Sequence, residues 1–137
     1  MKCLIVEDDF GSRKLIQRYL EEHGECDSAV NGEEAIEAFY KALMEKEPYD
    51  LICLDIMMPI TNGHETLTAI RQIESNNGIH GLDGVKVIMM TALDDSKNIF
   101  GAFREGCEAY IIKPIEKYKL ISEMVNLGLI NSKCFQS

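Results

Sequence analysis

Basic residues are scarce in this chain of 137: Lys and Arg number 14 against 23 Asp and Glu, a formal charge of -9. Nucleic-acid binding needs a basic face to neutralise phosphates, and adhesion to anionic lipid needs clustered cations, so neither partner is expected. Long apolar runs are missing as well. The N-terminus reads Met1-Lys2-Cys3-Leu4-Ile5-Val6 before turning acidic at Glu7. That is short of the ~7–15 apolar residues of a signal peptide. No later run approaches the ~20 residues that span a bilayer. A cytoplasmic location is the expectation. The cysteines (Cys3, Cys26, Cys53, Cys107, Cys134) are odd in number, scattered, and never spaced Cys-x-x-Cys. This argues against a zinc site or a redox dithiol and favours small buried hydrophobes in a reducing compartment.

The length is that of one domain. With 46% hydrophobic and 27% charged residues, the chain can bury a core without disulfides and is not disordered by composition. Short continuous apolar runs occur at Cys3–Val6, Leu51–Leu54, Val85–Met90 and Tyr110–Ile112, as expected of strands buried on both faces of a parallel sheet. Cys26–Val30 reads as a weaker, edge strand. Helical stripes lie between them: Leu15, Ile16, Tyr19 and Leu20; Ile36, Phe39, Tyr40 and Leu43; Leu67, Ile70 and Ile73; Ile99, Phe100 and Phe103; Leu120, Ile121, Met124 and Val125. Five strands alternating with five helices predict an α/β, doubly wound parallel sheet, (βα)5, with right-handed crossovers and helices on both faces. Gly24, Asn31-Gly32 and Gly106 fall at helix boundaries, and Asn76–Gly84 reads as an unusually long loop. Residues 1–130 form the expected domain and 131–137 a frayed tail, with no room for an output domain.

Ligands of such sheets bind beyond the carboxyl ends of the strands. The first strand is followed by Glu7, Asp8 and Asp9; the third ends in Asp55, the fourth in Thr91, the fifth in Lys113. Two carboxylates ~4 Å apart repel by roughly 4 kcal/mol at an effective dielectric near 20. The cluster must protonate, spread, or hold a cation, and few carboxylates with room for water suit magnesium. A carboxylate, a metal, a lysine and a hydroxyl can together hold a phosphoryl group, and a carboxylate can itself form an acyl phosphate. Asp55, central and flanked by apolar residues, is the candidate nucleophile. Asp9 alone reads as a solvated loop residue. Met57 and Met58 read as packing side chains, Gly63 as a permissive turn before the third helix, and His23, His64 and His80 as isolated residues without chemistry.

Leu4-Ile5-Val6-Glu7-Asp8-Asp9, Leu54-Asp55-Ile56-Met57-Met58-Pro59, Met90-Thr91-Ala92 and Ile112-Lys113-Pro114 resemble, in order, spacing and sheet position, the signature segments of response-regulator receiver domains. The resemblance runs from about Lys2 to about Gly128. It implies a CheY-like, stand-alone response regulator with the flavodoxin-like strand order 2-1-3-4-5. By it, Asp55 accepts a phosphoryl group from a phosphohistidine on a sensor histidine kinase or phosphotransfer protein. Asp8, Asp55 and the Met57 backbone carbonyl bind Mg2+ or Mn2+, and Glu7 completes the pocket through a metal-bound water. Thr91 bonds the phosphoryl group, Ala92 leaves room for it and Lys113 pairs with it. Tyr110 is the switching aromatic, and Lys113-Pro114 is a cis peptide candidate. The resemblance implies a signalling switch rather than an enzyme, a monomer or weak phosphorylation-dependent dimer. Its response face on the fourth helix, fifth strand and fifth helix would include Lys97, Ile99, Arg104, Lys117, Tyr118 and Lys119, and bind an unknown downstream protein. Met57 and Leu93, two residues past Asp55 and Thr91, are apolar and predict slow self-dephosphorylation.

Three other readings compete. A magnesium-dependent phosphatase with an aspartyl nucleophile would use similar groups, but dehalogenase-like phosphatases want an acid where Met57 stands, and no cap segment is present. A flavin module wants Ser, Thr and Gly after the first strand, where this chain has acids. A degenerate receiver that only binds a partner is disfavoured because every key residue is present.

Overall fold

The computed structural model describes residues 1–58, 62–92 and 96–131, with backbone alone at 96–99. Strands β1 (Lys2–Val6), β2 (Glu25–Ala29), β3 (Leu51–Asp55), β4 (Lys86–Thr91) and β5 (Ala109–Ile112) alternate with helices α1 (Phe10–Leu20), α2 (Gly32–Met44), α3 (Gly63–Asn76), α4 (Ser96–Glu105) and α5 (Lys117–Asn126). All four strand pairings are parallel, in the order β2-β1-β3-β4-β5. β1, β3 and β4 are buried on both faces, so they read as unbroken apolar runs. β2, at the edge, exposes Glu25, Asp27 and Ser28. Charge on an edge strand opposes pairing with another chain.

Alternate strand residues feed two cores. Leu4, Val6, Ile52, Leu54, Val87 and Met89 face α2, α3 and α4. Cys3, Ile5, Cys53, Ile88, Met90 and Ile111 face α1 and α5. Asp9, Asn31 and Asn62 cap α1, α2 and α3 by accepting from the amides of Ser12, Glu34 and Glu65. Burial pushes the Cys3 and Cys107 thiols up to about 12 and raises Cys53 well above its usual value, consistent with inert core hydrophobes.

Several expectations need correction. The α2 stripe is centred on Ala35, Phe39 and Ala42, while Tyr40 is exposed. Leu15 is likewise exposed on α1. The α4 stripe fails as a core face: Phe100 is 74% and Phe103 48% exposed, and Ala102 is buried instead. The side chains of Lys97 and Ile99, and all of Pro59 and Leu93, lie outside the described residues. The supposed long loop is shortened by α3, which runs to Asn76, and by a 3-10 turn at Gly81–Asp83.

Candidate functional site

β1 delivers Glu7 into the interior, where it is 0% exposed, and leaves Asp8 exposed beside it. The Arg13 guanidinium donates to the Glu7 carbonyl at 2.9 Å and fixes this corner. Asp9 is turned away as the cap of α1; its hydrogen bonds from Ser12 hold its carboxyl below the usual range. Asp55 ends β3 and is 2% exposed. Its Oδ1 accepts from the Met57 amide at 3.2 Å. Thr91, ending β4, is fully buried, and Ala92 beyond it is exposed. Lys113 follows β5, and its amide donates to the Thr91 carbonyl at 2.6 Å. Its Nζ lies 2.6 Å from Glu7 Oε1 and 3.5 Å from Asp55 Oδ2. The Lys113-Pro114 peptide is cis, as the resemblance implied.

Two buried carboxylates thus face one ammonium. Burial, and then the adjoining Asp55 carboxylate, push the Glu7 carboxyl up to about 7, against the pull of Lys113. Burial pulls the Lys113 ammonium down, but its bond to Glu7 and the charges of Asp55 and Glu7 outweigh that and raise it. Glu7 Oε2 is buried with no hydrogen-bond partner. One oxygen from each of Glu7, Asp8 and Asp55 falls within 4.8 Å of the others. An orphaned carboxylate oxygen within a hard oxygen cluster is what a divalent cation, or its water, would satisfy. The residues therefore fit Mg2+.

The sequence-predicted residues Glu7, Asp8, Asp55, Met57, Thr91, Ala92, Lys113 and Pro114 all reach this one edge. Tyr110 stands apart, half-buried in a groove of about 480 Å³ between α4, β5 and α5, with Phe103 and Tyr118. The Met57 side chain is 60% exposed, so it is not a packing residue; Met58 packs partly against the core. Gly63 has no left-handed backbone, and its role is close approach instead: a Cβ there would lie 2.7 Å from Asp55 O and Ile56 Cα. Sequence reasoning missed Arg13. It also missed the ion cluster of Arg71, Glu74 and Glu108, and the 2.9 Å bridge from His64 Nδ1 to Glu105. Only Arg71 and Glu74 carried a signal, their i,i+3 spacing.

The family description "Response regulator receiver domain" matches residues 3–125. The chemotaxis protein CheY of Halobacterium salinarum is 36% identical over 85% of this chain and 87% of its own. The probable transcriptional regulator ycf29 of Porphyra purpurea is 36% identical over 90% of this chain but 54% of its own length, and the chain spans 45% of the transcriptional regulatory protein ResD of Bacillus subtilis. The chain thus covers about half the length of several relatives. Among solved structures, the CheX-CheY-BeF3-Mg complex of Borrelia burgdorferi superposes with a TM-score of 0.78 at 25% identity, covering 95% of this chain and 90% of that one. No helix among the described residues is long and apolar enough to cross a membrane. A profile spanning most of the chain, a CheY relative matched nearly end to end, and the sheet order agree: the chain belongs to the response-regulator receiver-domain family of two-component systems and is CheY-like.

Proposed function

We propose that this domain takes a phosphoryl group from a phosphohistidine onto Asp55 and passes the signal through the α4–β5–α5 face to a separate protein, acting as a switch rather than an enzyme with its own small-molecule substrate. The observation that carries the reading is Asp55 itself: a carboxylate 2% exposed at the end of the central strand, with Lys113 Nζ at 3.5 Å and the Met57 amide on its other oxygen. In the transfer, an Asp55 oxygen bonds phosphorus as the P–N bond breaks, and the imidazole leaves with the electron pair. Asp8, Asp55 and the Met57 carbonyl would hold Mg2+, or Mn2+, with Glu7 acting through a water. The metal, when bound, supplies charge neutralisation at the phosphoryl oxygens.

Lys113 is poised to exchange partners. It now bridges Glu7 and Asp55; an added charge of about -1.5 to -2 on Asp55 draws it toward the phosphoryl oxygens. Thr91 donates its hydroxyl to the same group. Tyr110 and α4 then favour a second arrangement of the groove they line, a population shift. Exposed Phe100, Phe103 and Tyr118 give that face an apolar surface for a protein partner.

Isothermal titration with Mg2+ tests the metal site: wild type binds one ion, and Asp8→Asn and Asp55→Asn each weaken it at least tenfold. Equal affinities would remove these carboxylates from the site. The exposed apolar Met57 can lie over the acyl phosphate and hinder water. The phosphoryl group is therefore expected to last minutes or longer, and Met57→Asn to shorten its life several-fold, both followed by intact mass. A wild-type lifetime of seconds contradicts this.

A further inference from the structure

Glu7, Asp8 and Asp9 are consecutive, yet their carboxylates serve different places. Successive side chains of a strand point to opposite faces, so a straight continuation of β1 would send Glu7 and Asp8 apart. They are together: a carboxylate oxygen of each falls within 4.8 Å of the other and of one from Asp55. The pleat therefore breaks between them, and the chain bends at Asp8. Asp9 goes elsewhere, to cap α1 through the Ser12 amide at 2.9 Å.

The break has a visible signature in the backbone. Carbonyls of a regular strand alternate in direction as its side chains do. Here two consecutive carbonyls converge on one nitrogen: Arg13 Nη1 lies 2.9 Å from Glu7 O and 3.4 Å from Asp8 O. Arg13 comes from the first turn of α1, where its own amide donates to Asp9 O at 2.9 Å. That turn carries no acid, and a cation there opposes the helix dipole. Helix stability therefore does not account for an arginine at this place. Pairing with the acids does not account for it either, since Lys113 is the cation on Glu7 and Asp55. The Phe10 ring, 5.5 Å from the guanidinium carbon, steadies the side chain in its reach back to β1.

We infer that Arg13 is a positioning residue for the metal site: it gathers the Glu7 and Asp8 carbonyls and so bends the end of β1 until both carboxylates reach Asp55. Its consequence for Mg2+ rests on the metal-assisted phosphoacceptor reading above; the bend itself does not. The two parts a cation could play here differ in sign. Charge alone repels a divalent ion, so its removal would tighten Mg2+ binding. Holding the bend assembles the ligands, so its removal weakens binding.

Mg2+ titration by calorimetry on the full chain reads that sign. Arg13→Met should bind Mg2+ roughly tenfold or more weakly than wild type. Arg13→Lys, which keeps the charge and a donor, should fall between the two. If the methionine variant does not fold, Arg13→Gln, neutral and too short to reach either carbonyl, replaces it. Backbone residual dipolar couplings without metal read the bend itself: in the neutral variant those of residues 7–9 should change, while those of β1 and the body of α1 stay. Binding by the neutral variant as tight as wild type, or tighter, overturns the proposal, and so does a lysine variant as weak as the neutral one. Unchanged couplings at residues 7–9 overturn it whether or not the site takes Mg2+. A wild type that binds no Mg2+ counts instead against the phosphoacceptor reading, and the couplings then decide the bend alone.

Discussion

Replacing Glu7 with glutamine should make the metal-free protein more stable at pH 8, by about 1–3 kcal/mol in urea unfolding, while weakening Mg2+ binding. The wild-type carboxyl rises from 4.5 to about 7 because folding buries it beside Asp55. Such a rise, with the pull of Lys113 already included, corresponds to roughly 3 kcal/mol. The sign follows from proton counting. Between pH 4.5 and 7 the folded state holds the Glu7 proton more tightly than the unfolded state, so this group's contribution to stability falls as pH rises through that window. Above about 7 the full penalty is present; below 4.5 it is absent. The glutamine variant escapes it, so its advantage should be largest at pH 8 and shrink as pH falls toward 5. Bound Mg2+ favours the ionised form, so metal binding near pH 7 should release protons, and wild-type affinity should fall as pH drops below 7. An advantage for glutamine that is absent at pH 8, or that grows on acidification, contradicts this electrostatic account.

Gly63→Ala should be the most damaging single-methyl addition near the site. Overpacking ordinarily costs about 1–3 kcal/mol, and here the obstructing atoms are Asp55 O and Ile56 Cα, backbone rather than a side chain that can rotate away. Relief requires α3 to back off or the segment after β3 to shift, and the Gly63 amide would lose its 3.0 Å bond to Ile56 O. The expected result is a loss of about 2–3 kcal/mol in urea unfolding together with at least tenfold weaker Mg2+ binding, because Asp55 and the Met57 carbonyl sit on the displaced segment. Wild-type stability and affinity in this variant would show that the contact is relieved without moving the site.

Much of this was legible in the chain. Each site residue follows an apolar run, and strands buried on both faces have unbroken runs, so the sequence alone puts Glu7, Asp8, Asp55, Thr91 and Lys113 at one edge. The capping roles of Asp9, Asn31 and Asn62 are equally local. Other features were not local. Apolar periodicity cannot separate a core stripe from a docking stripe, so Phe100 and Phe103 read as core and prove exposed. In α2 the packed centre includes Ala35 and Ala42, small residues that periodicity underweights. Arg71 meets Gly106 and Glu108 across 35 and 37 residues, and nothing in the intervening sequence announces it. Glu74 is 4% exposed, and no apolar pattern around it in the sequence marks a buried acid. The requirement for glycine at 63 was visible; its cause, contact with the phosphoacceptor segment, was not.

The central claim is that Asp55 accepts a phosphoryl group with the help of the acidic metal site. Intact mass after treatment with acetyl phosphate, with and without Mg2+, on wild type and Asp55→Asn, tests it most directly. The account predicts a Mg2+-dependent gain of one phosphoryl group in wild type and none in the variant. A gain that persists in Asp55→Asn, or one indifferent to Mg2+, would contradict it.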